Sequence, residues 1–111
     1  MLERRVCIAV FDFATATNGD GAKGVYVVDN VKLTHISIFG TVAGGPGTAT
    51  IDVQDDGTDI LTAQAISTDT LANVTDKDIA AGSLIEIDLN LVGGTSATFT
   101  GQIALWGFVD E

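Results

Sequence analysis

The sequence predicts an all-β chain, a single-domain antiparallel β-sandwich of jelly-roll-like architecture with about eight strands. Three observations carry this expectation. Apolar and polar residues alternate with period two in several runs, no stretch shows helical periodicity, and Gly, Asn and Asp turn formers recur roughly every eight to twelve positions. At 111 residues the chain is long enough for one core and too short for a second. Residues 1–111 therefore form one domain, with residues 1–5 as an N-terminal arm.

The first strand spans Glu3 to Ala14, with Val6, Ile8 and Val10 on one face and Cys7, Ala9, Phe11 and Phe13 on the other. Both faces are apolar, so cover is expected on two sides, from a second sheet plus a loop or from a neighbouring subunit. Thr15 to Lys23 is a loop, with turn signals at Asn18-Gly19 and Asp20-Gly21. It lacks the Lys-Ser/Thr ending of a phosphate-binding loop and precedes a strand rather than a helix.

Val25 to Val28 is a short strand, and Val31 to Val42 is a longer one whose apolar face slips at His35, as a β-bulge would make it do. His35 is the single histidine and reads as a hydrogen-bonded strand residue rather than a catalyst or ligand. Gly44-Gly45-Pro46-Gly47 is a turn. In Thr48 to Gln54, Ala49, Ile51 and Val53 point inward, and Asp55-Asp56-Gly57-Thr58 makes a tight hairpin into Ile60-Leu61-Thr62. The carboxylates Asp52, Asp55, Asp56 and Asp59 lack the spacing of a calcium loop, and turn chemistry explains Asp55 and Asp56 without an ion.

Ala63 to Asp78 fits neither period well and predicts a meandering connection, with a short strand near Val74 or a helical turn around Asp69 to Asn73. Ala80-Ala81-Gly82-Ser83 is a turn. Beyond it, Ile85, Ile87, Leu89 and Leu91 alternate with polar residues, and after Val92-Gly93-Gly94-Thr95-Ser96 a second run places Phe99, Ile103 and Leu105 on one face. These two runs predict one long antiparallel hairpin, the largest contributor to the core.

Fifteen acidic residues against five basic ones give a formal net charge of −10. That balance disfavours phosphate-backbone binding, which needs a Lys/Arg footprint, and disfavours docking on an anionic membrane. Neither nucleic acid nor membrane is expected as a partner. Acidity keeps a small protein soluble, or it complements a basic patch on another protein. The lone cysteine, Cys7, excludes an intrachain disulfide and reads as a buried small hydrophobe. The N-terminal stretch ending at Asp12 is too short and too polar for a signal segment, so export is not expected. No nucleophile-base pair, paired acid and base, or metal cluster stands out. The expectation is a non-enzyme without cofactor or metal.

Certain segments carry a resemblance. They are Thr50-Ile51-Asp52-Val53-Gln54-Asp55-Asp56-Gly57, Ile79-Ala80-Ala81-Gly82-Ser83-Leu84-Ile85-Glu86-Ile87-Asp88-Leu89, and Ala97-Thr98-Phe99-Thr100 through Ala104-Leu105-Trp106. Over residues 31 to 109 the chain resembles small β-rich virion proteins of tailed bacteriophages, which share such a hairpin and strand within one jelly-roll-like domain. The resemblance implies a capsid decoration (cement) protein, a structural virion protein on the outer surface of the capsid that bridges neighbouring major capsid subunits and stabilises the shell. It implies the major capsid protein and further copies of the chain as partners, commonly as a trimer, with synthesis in the host cytoplasm. The alternative is a carbohydrate- or receptor-binding β-sandwich module of a tail, baseplate or head fibre.

Candidate interface residues follow from the residue pattern. Trp106 and Phe108 fall on the face opposite Phe99, Ile103 and Leu105, where aromatic side chains are unusual. A bulge or a loop of the same subunit is the other explanation for them. Phe11 and Phe13, on the doubly apolar first strand, are candidates for burial against a neighbouring subunit. Arg4 and Arg5 are candidates to anchor the N-terminus on an acidic neighbour, or form part of a free arm.

Overall fold

The computed structural model describes residues 4–18 and 23–110. The central part of the Thr15 to Lys23 loop, with Gly19, Asp20 and Gly21, lies outside the described residues, as does the start of the N-terminal arm. Eight strands follow in order: β1 Val6–Ala16, β2 Lys23–Tyr26, β3 Asn30–Ala43, β4 Thr48–Asp55, β5 Thr58–Ala65, β6 Thr70–Ile79, β7 Leu84–Val92 and β8 Thr98–Asp110.

They form two antiparallel four-stranded sheets, β1-β8-β3-β6 and β2-β7-β4-β5. Strand pairs 1·8 and 3·6 lie in one sheet and 2·7 and 4·5 in the other, the arrangement of a ribbon of paired strands rolled over itself into a jelly roll. The core lies between the sheets. Ile36, Ile38, Phe99, Ile103 and Leu105 line it from the first, and Ile51, Val53, Ile85, Ile87 and Leu89 from the second, all essentially without exposed surface.

Several sequence expectations hold residue by residue. The bulge at His35 lies between Leu33 and His35, where the register shifts against both β8 and β6. The β4–β5 hairpin turns at Asp56 and Gly57, both with positive φ (48° and 86°), as a primed turn requires. The turns at Gly44 to Gly47 and Ala80 to Ser83 fall between strands.

Others are corrected. The two runs from Leu84 onward are not a hairpin: β7 pairs with β2 and β4, β8 with β1 and β3, and the segment between them crosses from one sheet to the other. Each run's inward face still meets the other, across the core instead of along a ladder. The segment predicted to meander contains a ten-residue strand, β6, without a helical turn. Its alternation is hidden because Thr75 and Asp76 take positive φ (55° and 48°) opposite the β3 bulge, which swaps inward and outward positions midway.

The first strand is likewise bulged, between Cys7 and Ala9. The bulge turns Cys7 to the outer face, where it is exposed rather than buried.

Candidate functional site

The outer face of the β1-β8-β3-β6 sheet can be read in rows, because paired residues point to the same side. Phe108, Lys32 and Asp78 form a row at one end. Next come Cys7, Trp106, His35 and Asn73, then Val10, Ala104, Ser37 and Leu71. Asp12, Gln102 and Phe39 make the row beyond. The two middle rows hold no Asp, Glu, Lys or Arg. Three of the side chains on this face are large, apolar and strongly exposed: Phe39 at 69%, Leu71 at 65% and Val10 at 49%.

The outer face of the other sheet is chemically different. Glu86, Gln54 and Asp59 share one row, and Asp88 lies directly opposite Asp52 in the next. Neither β4, β5 nor β7 contains a Lys or Arg. The molecule thus has one acidic face and one largely apolar face on opposite sides of the same core.

At one end of the apolar face the β3 bulge builds a polar node. Thr34, 1% exposed, is turned under the sheet surface, and its hydroxyl donates to the Trp106 carbonyl at 3.2 Å. The Arg5 Nε–H donates to Thr34 Oγ1 at 3.0 Å, and the His35 Nδ1 lies 2.9 Å from that hydroxyl oxygen. A hydroxyl has one proton and two lone pairs. If that proton goes to the carbonyl, His35 is the donor of the third contact, from Nδ1.

Arg5 also spans the Phe108 ring, its guanidinium carbon 5.3 Å from the ring centre. Trp106 donates its indole N–H to Ser37 Oγ at 2.8 Å, which lays the ring along the sheet.

The structure therefore brings together three of the six residues singled out from the sequence: Arg5, Trp106 and Phe108 share this node on the outer face. Arg4 is exposed beside it. Phe11 and Phe13 are corrected. They are 6% and 3% exposed and point into the core of their own subunit, where Phe13 meets Phe99 edge-on at 5.6 Å and Lys23 Nζ covers its ring at 5.1 Å. The core of their own subunit supplies their cover, so no neighbouring subunit is needed for it.

Phe39 and Leu71 were not legible as site residues. Phe39 follows Ile36 and Ile38 in an apolar run, and Leu71 sits in the segment whose alternation is scrambled. The signal for Phe39 was its parity with His35 and Ser37, once the bulge is placed.

The carboxylates around the β4–β5 hairpin divide: Asp52 and Asp56 hold backbone amides, Asp59 holds two side chains, and Asp55 Oδ1 is buried without a hydrogen-bond partner. Asp52 Oδ1 accepts from the Ala63 amide at 2.7 Å, Asp56 Oδ1 from the Leu84 amide at 2.8 Å, and Asp59 from Gln54 and Thr62. Among the described residues no three His, Cys, Asp or Glu side chains are grouped to hold a metal ion. Trp106 and Gln102, the pair considered for a sugar site, are four residues apart on β8, about 13 Å at the rise of a strand.

No protein-family model, curated protein or solved structure matches this chain.

Proposed function

We propose that this chain is a structural assembly protein of a tailed-phage virion, a decoration protein that binds the outside of the capsid and bridges neighbouring major capsid subunits. One observation supports this reading above the others. The chain presents a wide sheet face whose two middle rows are uncharged and which carries Val10, Phe39 and Leu71 well out of the core, which is the composition of a contact surface rather than of a solvated one. The acidic opposite face keeps the particle soluble or complements a basic patch on the shell.

The mechanism is linkage. A protein that binds two adjacent subunits only when they are assembled stabilises the assembled state by the free energy of that binding, without any chemical step. The chain acts as a homo-oligomer.

The test is co-sedimentation of the purified protein with empty capsids and with unassembled capsid protein. Binding to shells alone, with a higher melting temperature of the shell, is the expected result. Indifference to shells, together with thermal stabilisation by a saccharide that Trp106→Ala abolishes, replaces this reading with the receptor-binding one.

A further inference from the structure

The outer face of the β1-β8-β3-β6 sheet is complementary to itself. Arg5 and Lys32 stand at one end, with Asp78 at the β6 margin, and Asp12 stands at the other, where Asp69 reaches the Gly40 amide at 3.1 Å. Two uncharged rows lie between. The Lys32 end also has a hollow lined by Lys32, Asp78, Ile79 and Phe108, while Phe39 projects from the other end.

A two-fold axis lying in the face and running across the strands, through its middle, exchanges the two ends. It sets the Arg5 end of one copy over the Asp12 end of the other. Phe39 of each copy then lies over the hollow beside Lys32 of its mate, and near the centre Val10 lies over Cys7 of the mate and Trp106 over its Ala104.

We infer that two copies of this chain pack these outer faces together about such an axis. The contact is isologous, each surface patch meeting the same patch on the second copy. The face is large enough. Four strands about 4.8 Å apart and the length of β8 at about 3.3 Å per residue give roughly 800 Å2, the area each partner contributes to a standard interface.

Charge also selects a second copy in this pose. A net charge of −10 on each chain opposes association, yet Asp52, Asp59, Glu86 and Asp88 all lie on the far side. In the stacked pair their two faces are separated by three sheet spacings, about 30 Å, well beyond the screening length of about 8 Å at physiological ionic strength. The repulsion is screened while the apolar burial is kept.

This inference rests on the reading of the chain as a homo-oligomer and gives it two-fold symmetry in place of the threefold symmetry the resemblance implies. It is tested by light scattering on the purified protein at about 100 µM, a concentration at which micromolar contacts are saturated. The expected mass is twice the 11.4 kDa chain.

Phe39→Ser with Leu71→Ser, at positions already exposed, halves the mass and leaves the β-sheet circular dichroism unchanged. Asp12→Arg, which sets Arg against Arg5 of the mate, weakens the pair, and adding Arg5→Asp restores it.

A monomeric wild type overturns the inference. So does a three-chain mass, or a dimer that survives the Phe39 and Leu71 double substitution. The capsid reading is tested separately by co-sedimentation, and a monomer that still binds shells sinks the two-fold pair while keeping that reading.

Discussion

Thr34 is the residue on which the apolar face is anchored. Extruded by the β3 bulge and buried, it uses its hydroxyl fully, donating to the Trp106 carbonyl, accepting from Arg5 and contacting His35 Nδ1. Thr34→Val keeps the shape and removes all three contacts. It leaves the part-buried Trp106 carbonyl, the Arg5 Nε–H and the His35 Nδ1 without this partner, a loss of about 1–3 kcal/mol. Urea denaturation of the variant should show a lower midpoint with an unchanged slope, whereas Thr34→Ser should retain most of the stability. A midpoint unchanged in Thr34→Val would mean that water replaces the hydroxyl without cost. If the Thr34 proton goes to the Trp106 carbonyl, the His35 Nδ1 contact is one in which the ring donates, and nitrogen-15 shifts of the ring report that tautomer directly.

At the scale of the strand, β8 is the element that joins everything, since it pairs with both β1 and β3 and faces the core with Phe99, Ile103 and Leu105. Its inward sequence is interrupted by Gly101, which lies opposite Gly40 on β3 and Phe13 on β1. The interruption is required. A Cβ at Gly101 would collide with the backbone carbonyl of Phe39, and a Cβ at Gly40 would stand 3.0 Å from the Phe99 ring.

The two glycines let β3 and β8 approach closely while the Phe13 and Phe99 rings fill the space that side chains would otherwise take. Gly101→Ala is therefore overpacking against backbone, expected to cost roughly 1–3 kcal/mol. A thermal melt should register the loss, and an equal or higher melting temperature would show that the strands separate freely.

For the whole molecule the governing fact is the segregation of charge. The Asp52–Asp88 pair places like charges directly opposite on adjacent strands, which destabilises a sheet by a few tenths of a kcal/mol to about 1 kcal/mol. Asp52 is committed to the Ala63 amide and to Asn90, while Asp88 is the partner that can change without breaking a bond at Asp52. Asp88→Asn is expected to stabilise the chain by about 0.2–1 kcal/mol, and the gain should shrink as salt screens the pair. Wild-type melting temperature should rise with added salt for the same reason. A variant no more stable than wild type at low salt would show that the two carboxylates are already well screened by water.

The sequence by itself determined which residues point inward and where the chain turns. Alternation marks the buried side of β4, β7 and β8, and the Asp56-Gly57 and Gly44 to Gly47 turns divide strands because only a few residue types take the backbone angles they need. The position of Trp106 and Phe108 on the outer face, and the bulge at His35, were also legible, because a period-two pattern records its own interruptions.

What the tertiary structure decided is partnership. Period two says that Ile87 and Ile103 are both buried, and it is silent on whether their strands share a ladder or face each other across the core, since either arrangement hides the same atoms. That is why β7 and β8 read as a hairpin and lie in opposite sheets. Bulges add the second limit. At Cys7 and along β6, a residue inserted against a neighbouring strand reverses every later side chain. Because the insertion is fixed by the partner's register, the exposed Cys7 and Leu71 became visible only once the strands were paired.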